Sequence, residues 1–175
     1  MLNGSSRVGD ARTRLNSALY HKNGEIMKSY EQYEKECKEI RAENKKLSCD
    51  FKKWLANKNL VEKTIDKHVS NVEFYVNEFL LYEDAIRAVD GTDEIGMFLG
   101  YWIIKKAMWA NKFAIKENAA SLKKFYQFMY EQGKISEDAL IVLKERIKED
   151  MPEWLATMDR YDDPDIEDME EVWGF

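Results

Sequence analysis

At 175 residues, with 45% hydrophobic and 13% aromatic content, the chain is long enough for one domain with a real core and too rich in rings to stay disordered. A formal charge of −6 disfavours a generic polyanion binder on net charge alone. The charge is polarised, however: residues 100–135 carry seven lysines against two glutamates, whereas residues 150–175 carry ten acids against Arg160.

Residues 1–23 are rich in Gly, Ser, Asn and Arg, follow no period and read as a flexible arm. No apolar h-region is visible there, and the only two cysteines, Cys37 and Cys49, fit the reducing cytoplasm. From 26 to 47, Ile26, Tyr30, Tyr33, Cys37, Ile40, Asn44 and Leu47 alternate steps of four and three, which predicts a long helix over 24–47. With Asn44 at an a position, and Glu36 and Arg41 placed to pair between chains, the seam fits a homodimer through residues 26–47. Tyrosines make a poor coiled-coil core, so a stripe laid on the chain's own domain is the other reading, and the one favoured.

Ser48 is placed to cap a short helix carrying Phe51, Trp54 and Leu55, and Asn57 to Asn59 make a break. A long helix follows, with Val61, Ile65, Val69, Val72, Val76 and Phe79 as its buried stripe and His68 at its border. A lone histidine in that setting is a hydrogen-bonded packing residue before it is a ligand. Residues 90–93, Asp-Gly-Thr-Asp, form a turn cluster. The segment EIGMFLGYWIIKKAMW is apolar nearly all round, which predicts a central buried helix with Trp102, Trp109 and Phe113 in the core. Gly96 and Gly100 would allow a close helix contact. Its apolar run, Met97 to Ile104, is too short to cross a bilayer.

The most informative stretch is IKENAASLKKFYQFMYEQGKI. Ile115, Ala119, Leu122, Phe125, Tyr126 and Met129 stack on one side of a helix, and Lys116, Lys123, Lys124 and Gln127 fall on the other with Glu117. Gly133 stops it. The lysine face is suited to holding phosphates, and it also reads as an ordinary solvated surface. Ser136 caps a further helix to about Asp150, and Pro152 opens a short one with Trp154 and Leu155. From Asp159 the chain is an acidic tail in which Ile166, Met169 and Trp173 keep helical spacing. A tail of that charge is placed to fold over the lysine face and suppress binding. No segment alternates with period two for long, so the expected class is all-α without a sheet.

Chemistry-bearing motifs are missing. His21 and His68 stand far apart outside any metal-ligand spacing, so neither metal nor other cofactor is expected. No phosphate loop, nucleophile elbow or carboxylate pair in a pocket context is visible. The expectation is a binding role and not an enzyme.

Three features together bear a resemblance. CDFKKWLANKNLVEKTIDKHVSNVEFYVNEFL has an aromatic and Trp-Leu on a short helix, a Leu-x-x-x-Thr-Ile helix start and a long helix ending in Phe-Leu. ASLKKFYQFMYEQGKIS has a small residue and leucine before a basic-aromatic pair, a second aromatic, then Gly-x-Ile. In order and separation these segments, spanning residues 48–150, resemble the N-terminal core-binding, SAM-like domain of phage-integrase-type tyrosine recombinases. The resemblance implies a bundle of four to five core helices, here preceded by the long N-terminal helix and followed, over 151–175, by a short helix and the acidic tail. It implies contact with double-stranded DNA by Lys63, Thr64, Lys67 and Asn71 from one helix, and by Lys116, Ser121, Lys123, Lys124 and Gln127 from another. Lysines would neutralise phosphates, and Asn or Gln would reach base edges. The family's catalytic domain has no counterpart here: there is no His-x-x-Arg, and Tyr161 stands in no comparable context. The competing reading is a protein-interaction scaffold that dimerises through 26–47 and docks through its acidic aromatic tail.

Overall fold

The computed structural model describes residues 30–174, so the arm over 1–23, His21 and Ile26 lie outside the described residues. The chain divides into two compact units, 1–36 and 37–175. In the first, the described residues open a helix on which the Tyr30 and Tyr33 rings lie 6.3 Å apart. The second unit is a helical bundle, and the described residues contain no strand.

Helix α1 spans Tyr30–Ala56. It runs unbroken through Ser48, so the two helices expected on either side of that residue are one. The segment holds neither Gly nor Pro, and Cys37, Ile40, Asn44, Ser48, Phe51 and Leu55 keep three- and four-residue steps into the core. Ser48 is therefore a small buried residue on a helix face and not a cap. Three of the heptad positions, Cys37, Ile40 and Asn44, are buried within the chain itself and are not available to a second copy.

The break comes where expected, with Asn59 in the left-handed region at φ 58°. Helix α2, Glu62–Glu73, continues into a π-helical turn, Phe74–Phe79. Ile65, Val72 and Val76 are buried on it, whereas Val61, expected in the stripe, sits at the N-cap and is exposed. A π turn widens the helix and frees backbone groups for other partners. Here the buried Asn44 amide donates to the Val76 carbonyl at 3.0 Å and to Asn77 Oδ1 at 2.9 Å.

A 3₁₀ segment, Ala88–Glu94, occupies the predicted turn cluster. Two buried tyrosines anchor it: Tyr75 donates its hydroxyl to the Gly91 carbonyl and Tyr126 donates to that of Ala88. Helix α3 covers 95–106 as Ile95–Met97, a π turn Phe98–Trp102, and Ile103–Lys106. Ile95, Phe98, Leu99 and Ile103 lie in the centre of the core, while Met97 is exposed. The helix stops at Ala107, which turns extended. Trp109 and Phe113 consequently ride on the connection and on the next helix's first turn, at 50% and 66% exposure, and are not core residues.

Helix α4, Lys112–Glu131, starts with the Asn111 side chain accepting from the Ala114 amide at 2.8 Å. All six residues of its expected apolar face are buried. It ends in a paired C-terminal motif, with Gly133 N bonded to Tyr130 O and Lys134 N to Met129 O. Gly133 takes φ 67°, the conformation that glycine adopts at little cost.

Helix α5, Glu137–Asp162, is capped by Ser136 as expected but runs straight through Pro152. Pro152 and Lys148, whose carbonyl loses its helical partner, are both exposed, so the orphaned group faces solvent and the helix continues. The acidic tail then folds: α6, Met169–Trp173, buries Val172 and lays the Trp173 ring 4.6 Å from Tyr101 and 6.2 Å from Tyr161. Arg160 Nε holds the Val172 carbonyl at 2.8 Å. These contacts place the tail against α3 and α5. Asp159, where the acidic stretch begins, pairs with Lys112 at the start of α4 at 2.7 Å, but among the described residues no tail carboxylate pairs with Lys116, Lys123 or Lys124, against the expectation of a tail folded over that face. No helix among the described residues is long and apolar enough to cross a membrane.

Candidate nucleic-acid interface

Helix α4 lies between α2 and α5 and packs against both. Its buried face is wide, leaving a narrow outer stripe in which Phe113, Lys116, Ala120, Lys123, Lys124 and Gln127 succeed one another at steps of three and four, Lys123 and Lys124 sharing one step. Where α4 meets α5 and the end of α1, Trp54, Ala120, Lys123, Lys124, Gln127 and Lys144 line an open depression of about 370 Å³.

The electrostatics of this depression are one-sided. Lys123, Lys124 and Lys144 form no ion pair among the described residues. Lys144 Nζ instead donates to Gln127 Oε1 at 2.7 Å, which fixes the ammonium at the rim without neutralising it. The nearby carboxylate, Glu131, is already engaged. It accepts from Trp54 Nε1 at 2.6 Å and from Gln127 Nε2 at 3.2 Å, and Lys58 lies 4.0 Å away while standing over the indole ring. The Trp54 hydrogen bond, followed by those lesser partners, holds the Glu131 carboxyl below its ordinary value. Three ammonium groups around an apolar floor can bind an anion. Its lining contains no carboxylate, histidine, cysteine or hydroxyl group, and among the described residues no His/Cys/Asp/Glu group is arranged to hold a metal ion.

The structure sorts the nine residues expected at DNA. Lys123, Lys124 and Gln127 come together in the depression. Lys116 is exposed one turn before Ala120 on the same stripe and has no ion pair among the described residues. Lys63 is exposed and Thr64 half-buried on the first turn of α2, outside the depression. Lys67 is paired with Glu117 across the α2–α4 seam and half-neutralised by it. Ser121 is fully buried and presents no atom to a ligand, and Asn71 is committed to it.

That seam has a defined hydrogen-bond logic. A serine hydroxyl has one proton and two lone pairs. Ser121 gives its proton to the Glu117 carbonyl at 2.9 Å and accepts from Asn71 Nδ2 at 3.0 Å. The remaining lone pair faces His68 Nδ1 at 2.8 Å, which requires the proton on Nδ1. His68 is thus the hydrogen-bonded packing residue anticipated from its position. Burial, then the Lys124 ammonium, push its pKa below the ordinary value; Lys67 adds to this and Glu117 opposes it. A histidine lowered in the folded state binds its proton more readily when unfolded, so this group costs stability as pH falls through about 6.5 and below. Denaturant unfolding at pH 8 and pH 5 will show a larger loss for the native chain than for His68→Gln, which retains a hydrogen-bonding side chain without a titrating ring.

Trp54 and Lys144 line the depression without being among the expected site residues; the sequence places Trp54 only as part of a short helix. The spacing of Lys144 between the inward Leu140, Leu143 and Ile147 marks it as outward, but only the packing of α4 on α5 brings it to Lys123. The chain matches no protein-family model, no curated protein and no solved structure.

Proposed function

We propose that the chain is a non-catalytic helical module that binds double-stranded DNA, related to the core-binding arm of tyrosine recombinases and acting in the cytoplasm as an accessory or regulatory factor in DNA integration or recombination. The observation that carries the reading is the convergence of Lys123, Lys124 and Lys144 on one open depression, with no carboxylate among the described residues paired to any of them. Lys116 extends the same positive stripe toward the start of α4. The excess of acids lies in residues 150–175, whose contacts are on α3, α5 and, through the Asp159–Lys112 pair, the first residue of α4. Screening confines their field to roughly 10 Å at ordinary salt, so the lysine stripe acts locally.

The test is a titration with random-sequence duplex at two salt concentrations. Binding that neutralises three phosphates falls with a log–log slope near −2.7, so affinity drops roughly 40-fold between about 50 and 200 mM salt. Affinity that ignores salt, or no binding at the lower concentration, removes the proposal and leaves the scaffold reading.

A further inference from the structure

We infer that the exposed rings of Trp109 and Phe113 form a stacking platform for an unpaired base, so that the preferred ligand is a duplex carrying a single-stranded end or gap. The inference rests on the nucleic-acid reading of the lysine stripe and narrows its ligand class. Three large apolar side chains stand in solvent at the junction of α3 and α4: Trp109, Phe113 and Met108, the last wholly exposed. Most of the described rings are buried or half-buried, so folding gains nothing from leaving these out, and large exposed side chains gathered at one junction mark a contact surface.

The rings are held in place and not loosely displayed. Trp109 packs 5.3 Å from Phe74, which in turn lies 5.4 Å from Trp102 and 6.1 Å from Phe98, so one side of the indole is anchored on the core while half its area stays open. Phe113 sits in the first turn of α4, whose start is fixed by the Asn111 cap. The Lys67 ammonium stands 5.6 Å from the Phe113 centroid and is itself fixed by Glu117. Little conformational entropy is left to lose when a base settles on such a surface.

Position on the helix supplies the second half of the argument. Phe113 begins the stripe that continues through Lys116 and Ala120 to Lys123 and Lys124. Ten residues of helix separate Phe113 from Lys123, about 15 Å of rise. One strand of B-form DNA places a phosphate about every 3.4 Å, so this length covers about four phosphates, with the rings at the end of the run. Rings terminating a line of ammonium groups are suited to a strand whose duplex stops and whose next base is free, because every base has a face to stack and the backbone before it has charges to neutralise. A closed duplex keeps its bases stacked on each other and offers the rings none.

The test uses the full chain and fluorescence anisotropy with a blunt duplex, the same duplex with a short single-stranded overhang, and vesicles of phosphatidylcholine with phosphatidylserine. The native chain is expected to prefer the overhang by roughly tenfold or more. Trp109→Ala and, independently, Phe113→Ala erase that preference while blunt-duplex affinity stays, and Trp109→Phe, which keeps a ring, retains most of it. Phe113 is the more exposed of the two and keeps the test alive should Trp109→Ala fold poorly. Equal affinity for both duplexes in the native chain, or an equal loss on both in the alanine variants, overturns the inference while leaving the lysine reading in place. Vesicle binding abolished by Trp109→Ala, without any overhang preference, assigns the rings to a bilayer surface and overturns it too. Salt-independent or absent binding to every nucleic acid is the separate failure of the lysine reading.

Discussion

Replacing Lys123 and Lys124 together by glutamate will abolish most duplex affinity. A unit charge 4 Å from another contributes about 1 kcal/mol even in water. Two attractions lost and two repulsions gained come to roughly 4 kcal/mol, on the order of several hundred-fold at 1.4 kcal/mol per decade. The salt slope should fall by about 2, since each lysine contributes close to one counterion release. The measurement is the same duplex titration, repeated with a Lys144→Ala variant that should reduce the slope by about 1. Folding is not at stake, because Lys123 and Lys124 make no ion pair among the described residues and neither is buried. The double variant has an internal check that is independent of DNA. Lys124 is the second cause of the lowered His68 pKa, so its reversal must raise the His68 titration as followed by NMR.

Where the chain's local pattern and its packing agree, the sequence was readable. The inner face of α4 is the clearest case: six apolar residues at helical spacing, every one buried, with a glycine stop at Gly133. The helical class, the break at Asn57–Asn59 and the Ser136 cap follow from equally local chemistry. What was not readable depended on neighbours distant in sequence. Asn44 has two readings, a coiled-coil register residue or part of a stripe laid on the chain's own domain, and its burial agrees with the second, favoured one, though not with any partner the sequence could name. Its amide serves a π turn more than thirty residues away, whose widened geometry has no sequence mark. Ser48 and Pro152 carry the residue types of helix starts, yet an unbroken apolar stripe overrode one and a solvent-facing carbonyl excused the other. The depression itself needed three helices, with Trp54 from α1 and Lys144 from α5 meeting Lys123 and Lys124 of α4. Net charge pointed away from it, since the acids that dominate the sum sit elsewhere in the fold.

Gly100→Ala and Gly96→Ala will move stability in opposite directions, although both add one methyl group to the same helical segment. At Gly100 an added Cβ would lie 2.5 Å from Trp154 Cδ1 and 2.6 Å from its Nε1, closer than real side chains approach. The indole it meets is nearly buried on α5, at 6% exposure, and a ring has no flexible end to swing aside. The α3 and α5 backbones must part or Trp154 must leave its rotamer, a strain of about 1–3 kcal/mol for overpacking of this kind. At Gly96 the nearest atom is Cδ of the exposed Arg146, 3.7 Å away, an ordinary van der Waals contact with a side chain whose guanidinium donates to the Asp93 carbonyl. There the methyl group meets no obstacle and removes the backbone freedom that glycine costs in a helix, a gain of up to about 1 kcal/mol. Both glycines sit four apart and the sequence offered them as equal partners in a close contact; only Gly100 is one. Denaturant midpoints of the two variants should therefore straddle that of the native chain. If both fall below it, the segment's π turn at Phe98–Trp102 is intolerant of any added helix propensity, and the close approach of Trp154 is not what makes Gly100 necessary.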